Sequence, residues 1–181
     1  MKKTVLFSLF LLVSSIMLAQ RKTTTSATVA FDASTSLDKL PKAENKTVIA
    51  AVDITTGSVQ FEANVKNFAF ANPTMQTHFN GANWMNSDAY PTFTFSGTIS
   101  NLSQIDFGKN GTYTAQVEGA LNVKGKEQKI KVPATVVIKD GSITANSDFS
   151  IVLADFGISG ASMDSGKVSK TPKVSVSAQF N

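Results

Sequence analysis

The sequence predicts an all-β domain, an eight-stranded antiparallel β-barrel with one short helix between its third and fourth strands. Three observations lead there. From Thr23 onward, apolar residues recur at every second position in eight separate runs, the period that returns a strand's side chains to one face. Turn-forming pairs such as Asn110-Gly111, Lys124-Gly125 and Asp140-Gly141 divide several of these runs. Only one stretch, Asn72 to Ala89, refuses the alternation. Eight strands with one wet and one apolar face can be satisfied by two stacked sheets or by a closed barrel. The barrel is the simpler solution, because closure removes exposed edges.

The first run places Ala27, Val29, Phe31 and Ala33 on one face, and the second places Val48, Ala50, Val52 and Ile54 on one face. Between them, Ser34 to Asn45 is polar, contains Pro41 and reads as an exposed loop. After Thr55-Thr56-Gly57-Ser58, the third run alternates Val59, Phe61, Ala63 and Val65 inward, then breaks step at Asn67 to Phe70, where a bulge or strand end is expected. The fourth carries Phe93, Phe95, Gly97 and Ile99 on one face against Thr92, Thr94, Ser96 and Thr98 on the other. The fifth points Tyr113, Ala115, Val117, Gly119, Leu121 and Val123 inward, and the sixth Ile130, Val132, Ala134, Val136 and Ile138. Asp140-Gly141 is a strong hairpin signal, since a tight two-residue turn needs positive φ at both positions. It leads to Ile143, Ala145, Ser147, Phe149, Ile151 and Leu153; the last run, Val174 to Phe180, follows a Gly/Ser-rich loop from Ser159 to Ser169.

The helix is expected over residues 74 to 80. Asn72 suits its N-cap, Pro73 its first position and Gly81 its end, and Met75 and Phe79 share a face four residues apart.

Two features of the inward faces bear on function. Many inward positions are small, among them Ala27, Ala50, Ala63, Gly97, Ala115, Gly119, Ala134, Ala145 and Ser147. Either the barrel encloses an apolar lumen with room in it, or Phe side chains from other strands fill the gaps. Aromatic residues also cluster between Phe61 and Phe95, as lining for a site or as a core plug beneath the helix. The residues expected to line a lumen are Phe61, Phe68, Phe70, Met75, Phe79, Trp84, Tyr90, Phe93, Phe95 and Phe149, with His78 at a polar rim.

The N-terminus reads as an export signal. Lys2 and Lys3 precede an apolar run from Thr4 to Leu18 that ends at Ala19-Gln20. The run is shorter than the roughly 20 residues that span a bilayer, so a cleaved leader of residues 1–19 and a barrel domain of residues 20–181 are expected. The destination is periplasmic or secreted. There is no Cys, which rules out a disulfide framework, a thiolate metal site and a lipid-anchored leader. The net charge of +4 falls by two when the leader is lost, too weak a balance to argue for nucleic acid as partner.

No catalytic apparatus is visible. His78 is the only histidine and no metal-ligand spacing surrounds it; no Gly-x-Ser-x-Gly elbow occurs. Asp155-Phe156-Gly157 matches a kinase triplet by letter only, because the companion loops are missing. Lys124, Lys126, Lys129 and Lys131, interrupted by Glu127, read as a solvated face. No catalytic residue, metal or cofactor is assigned.

The block His78-Phe79, Trp84-Met85-Asn86-Ser87, Tyr90-Pro91-Thr92-Phe93-Thr94-Phe95 resembles the YceI-like family. So do Gly119 to Gly125, with its Gly-x-Leu-x-Val-x-Gly pattern, and Phe149 to Ile158. The resemblance implies an extended, lipocalin-like barrel outside the cytoplasm that binds a long isoprenoid chain, such as a polyprenyl lipid or quinone, without catalysis. Two departures fall where a ligand's polar end would sit. The family's Trp and strand His are missing from Thr23 to Ala33, and its Arg-Asp pair is replaced by Gln76-Thr77. The expected function is that of an exported protein that sequesters or carries an apolar lipid in its lumen. The alternative is a secreted β module with a filled core that acts by surface contact.

Overall fold

The computed structural model describes residues 21–181; the leader expected over residues 1–19 lies outside them. In chain order the elements are β1 (Arg21–Asp32), β2 (Lys42–Asp53), β3 (Ser58–Asn64), β4 (Ala69–Phe70), α1 (Pro73–Asn80), β5 (Thr92–Ile99), β6 (Gly111–Val123), β7 (Lys126–Lys139), β8 (Ser142–Ser150), α2 (Ala161–Asp164) and β9 (Lys173–Phe180). All strand pairings are antiparallel. Around the ring the order is β1-β9-β8-β7-β6-β5-β3-β2, and β2 pairs back to β1. The result is a closed, up-and-down barrel of eight strands. The two-residue β4 is an addition that continues the β3 side of β2, with Ala43 opposite Phe70 and Glu44 opposite Ala69.

Local chemistry explains the connections. At Lys124-Gly125 the φ angles are 53° and 73°, and at Asp140-Gly141 they are 51° and 84°, so both hairpins use the doubly positive turn whose twist suits paired strands. In α1, the Asn72 side chain accepts from the backbone N–H groups of Thr74 and Met75, and Pro73 takes the first turn. The broken step after β3 is a strand end. Asn64 caps a 3-10 turn over Val65–Asn67 by accepting from Lys66 N–H, and Val65 is buried while Phe68 turns into the core. The four-residue α2 falls inside the stretch expected to be loop; Met163 is its buried anchor.

The loop expected over Ser34 to Asn45 is shorter and less exposed than its composition implies. Pro41 is buried, its carbonyl accepts from Ala33 N–H at 2.8 Å, and β2 begins at the next residue. Opposite Ala27 to Val29 the register slips, because β2 advances three residues, Val48 to Asn45, while β1 advances two. This bulge lets Asn45 face inward although it breaks the alternation. Asn45 is fully buried. Its Nδ2 donates to Asn64 O at 2.9 Å, and its Oδ1 accepts from the Thr47 N–H and hydroxyl, both at 2.9 Å. One amide thus ties the bulge of β2 to the end of β3. Asn45→Ala is expected to cost about 1–3 kcal/mol by orphaning these groups, measurable as a lowered urea midpoint with an unchanged slope.

Where β1 ends and β2 starts, Asp32 and Lys42 are cross-strand partners joined at 2.8 Å. Partial burial raises the Asp32 carboxyl, but hydrogen bonds from Lys42 and Ser34, with the Lys42 charge, outweigh it and hold the pKa at about 2. A depressed carboxylate stabilises the fold above its unfolded pKa near 4 and loses that contribution as the pH falls through the folded value. The Asp32 side chain is 41% exposed, so screening keeps the contribution within about 1 kcal/mol. Thermal unfolding should therefore separate the protein from Asp32→Asn near neutrality, and the two should converge towards pH 2.

Candidate functional site

Inside the ring lies a cavity of about 220 Å³ that runs along the barrel. Its wall is almost wholly aliphatic and aromatic: Val52 and Val59 near one end, Ile130, Val132 and Ala134 on β7, and Val174 and Val176 on β9. Of its lining residues only Thr94, Asn146 and Ser147 carry polar side chains. Such a wall favours hydrocarbon and offers almost nothing to a charge.

Alternation fixes which side chains reach this wall. Phe61, Phe93, Phe95 and Phe149 come from strand positions of inward parity, and Phe68 and Phe79 come from the segment after β3 and from α1; all six border the cavity. Phe70, Met75, Trp84 and Tyr90 do not. Phe70 lies behind the wall, 5.7 Å from Phe31 and 5.0 Å from Phe79 between ring centroids. Trp84 packs against the outside of the core, and Met75 is half-buried on α1. Tyr90 is 38% exposed and lies against the hairpin at Gly125. His78 is exposed on α1; its backbone carbonyl accepts from Gly81 N–H at 3.1 Å, and it does not border the cavity, although its neighbour Phe79 does.

Both ends of the barrel are shut. At the α1 end, Phe31 stacks on Phe79 at 5.5 Å and 23°, while Phe68 meets Phe31, Phe79 and Phe93 at 5.8, 6.1 and 5.7 Å. Leu153, Phe156, Ile158 and Met163, all buried, complete that cap from the segment between β8 and β9. At the opposite end, Ile105 and Phe180 are buried and Phe107 closes the cavity floor. The aromatic cluster therefore acts as plug and as lining at once.

The small inward residues divide in the same way. Ala115, Ala134 and Ala145 border the cavity and leave it space. Gly97 and Gly119 do not. They face each other across β5 and β6, and the tip of the Phe95 ring sits 2.7 Å from where either would carry a Cβ. Here an aromatic ring occupies what the missing side chains vacate. Met85, Phe107 and Pro172 also border the cavity; each lies outside the strands, where no period marks an inward residue.

A closed antiparallel barrel around an apolar lumen defines the class, a lipocalin-like β-barrel. The chain belongs to the YceI-like domain family, whose model matches residues 15–180. Solved structures share the fold. BcnA of Burkholderia cenocepacia is 20% identical, with a TM-score of 0.70 over 86% of this chain and 96% of that one. A polyisoprenoid binding domain from Saccharophagus degradans, implicated in plant cell wall breakdown, is 13% identical, with a TM-score of 0.75 over 90% and 98% of the two chains. The YceI protein of Campylobacter jejuni is 16% identical, with a TM-score of 0.53 over 74% and 80%. At these identities the likeness is one of fold. Among curated proteins none matches the sequence.

Proposed function

We propose that this protein is an exported binding protein that sequesters or carries a long-chain apolar lipid, a polyisoprenoid, a quinone or a similar molecule, in its lumen, without catalysis. The observation that carries the reading is the apolar wall of the barrel cavity. A void lined by hydrocarbon lowers the free energy of any chain that leaves water for it, by about 0.8 kcal/mol per buried CH₂. Family membership and the neighbouring polyisoprenoid binding domain support an isoprenoid occupant. Export rests on Lys2, Lys3 and the apolar run to Leu18, with residues 20–181 as the working domain in the periplasm or outside the cell.

Calorimetric titration with prenyl alcohols of increasing length tests this reading. Affinity should rise with each added isoprene unit, by up to roughly a thousandfold per unit, and level off once the lumen is full. Binding should carry a negative heat-capacity change. If no prenyl chain or quinone produces heat or alters Trp84 fluorescence, the reading fails. His78→Ala should leave the affinity within about twofold, because the residue is exposed and does not border the cavity.

A further inference from the structure

The ladders of the barrel wall differ in extent, and one of them stops short beside a proline. The β6–β7 ladder runs unbroken from Gly111↔Ile138 to Val123↔Lys126, and β8 is paired with β9 along its whole length, Ile143↔Phe180 to Ser150↔Lys173. Between β7 and β8, however, pairing runs only from Lys139↔Ser142 to Thr135↔Asn146 and then stops. The next residue but one on β7 is Pro133. A proline has no N–H to give to a ladder and is normally confined to edges. Because the β6 ladder passes intact through Gln116↔Pro133, the missing donor falls on the β8 side. The ladder gives way to one side-chain bond, from Ser147 Oγ to Pro133 O at 2.7 Å.

Further along, the seam is drawn together again where Gln128 Nε2 donates to Asp155 O at 2.9 Å. Between these two ties, residues 129–132 of β7 have no strand partner on that side among the described residues. That is an unpaired stretch of roughly 13 Å at about 3.3 Å per residue. Its edges are cavity wall: Ile130, Val132 and Ala134 on β7, Ser147 and Phe149 on β8. The β1–β9 seam also parts, beyond Thr28↔Ser177, but there Ala27, Ala178 and Phe180 are all buried, whereas along the β7–β8 stretch only Val132 is buried and Ile130, Ala134, Ser147 and Phe149 are half-buried.

We propose that this unpaired stretch is a slit between β7 and β8 through which the lipid enters and leaves the lumen sideways, and that Pro133 is the residue that keeps it open. The proposal rests on the lumen-binding reading above. Phenylalanine and aliphatic packing stops both ends of the barrel, and moving either plug would disrupt buried side chains; parting an unpaired seam breaks no ladder bond. The cavity points the same way. At about 220 Å³ it is smaller than the roughly 300–1,000 Å³ of ordinary ligand pockets, so a long chain must continue beyond the wall. The slit gives its polar end a way to water, past backbone groups that have no strand partner.

Two variants test the slit through rates. Pro133→Thr returns an N–H to the point where the ladder fails. Lys131→Cys with Ser150→Cys, positions that face each other if the register is continued, can be joined by a short bis-maleimide in a chain that has no other Cys. The same bridge across the fully paired Thr144→Cys and Gln179→Cys is the control. Association and dissociation of a dansylated farnesyl chain are followed by stopped flow. The proposal expects both rates to fall together by roughly tenfold or more in the bridged slit and to fall in Pro133→Thr, with Kd nearly unchanged and the control unaffected. Unaltered rates in both slit variants, with tight binding retained, would overturn the side entrance and leave lumen binding standing. A probe that binds no form of the protein would overturn both.

Discussion

Gly119→Ala is expected to destabilise the barrel by about 3 kcal/mol or more, the range of a forced core contact. A methyl group at Gly119 would overlap Ser96 O and approach Gly97 Cα to 2.5 Å and Phe95 Cζ to 2.7 Å. Two of these are backbone atoms of the neighbouring strand, so they cannot rotate away. Relief would require β5 and β6 to separate at the position where Gly97 and Gly119 are register partners, or the Phe95 ring to swing into the lumen. The first outcome lowers the thermal midpoint and the second also weakens ligand binding. Gly141→Ala is the contrast: a methyl group there would meet nothing within 4 Å, and only the φ of +84° opposes the change. A smaller loss there, seen in the same denaturation series, separates steric collision from backbone conformation.

The second large effect is on binding. Ala134→Trp should weaken a prenyl ligand by roughly a hundredfold, about 2.8 kcal/mol, while the protein still folds. Ala134 is half-buried, borders the cavity and lies opposite Ala115 across β6 and β7. An indole there occupies a large share of about 220 Å³ without meeting a packed interior, so it competes with the ligand more than with the core. Circular dichroism and the thermal midpoint report folding, and calorimetry reports the loss. If Ala134→Trp bound as tightly as the unaltered chain, the ligand would occupy some other part of the molecule.

The barrel was legible because each wall strand keeps one face wet. Val59, Phe61 and Ala63, or Val132, Ala134 and Val136, state their own register, and Lys124-Gly125 and Asp140-Gly141 state their turns. The start of β2 was not legible, because a bulge displaces the period and Asn45 is a buried amide whose partners, Asn64 and Thr47, become neighbours only through the fold. The lumen was partly legible. Phe61, Phe93, Phe95 and Phe149 follow strand parity, whereas Trp84 and Tyr90 lie in an irregular segment in which nearness in sequence gives no direction. Gly97 and Gly119 read as empty space, yet the Phe95 ring lies against both. Pro133 did carry a signal, since a proline inside an otherwise regular strand marks an unpaired side; its meaning depends on knowing that the neighbour is β8.

The central claim is that the lumen holds a lipid. Its most direct test is mass spectrometry of the organic extract of the protein, purified without detergent from cells that export it. The account predicts one class of long-chain apolar lipid in an amount approaching one molecule per chain, and its loss from the extract of Ala134→Trp. An unaltered protein that yields no lipid, or a lipid recovered equally from Ala134→Trp, would contradict it.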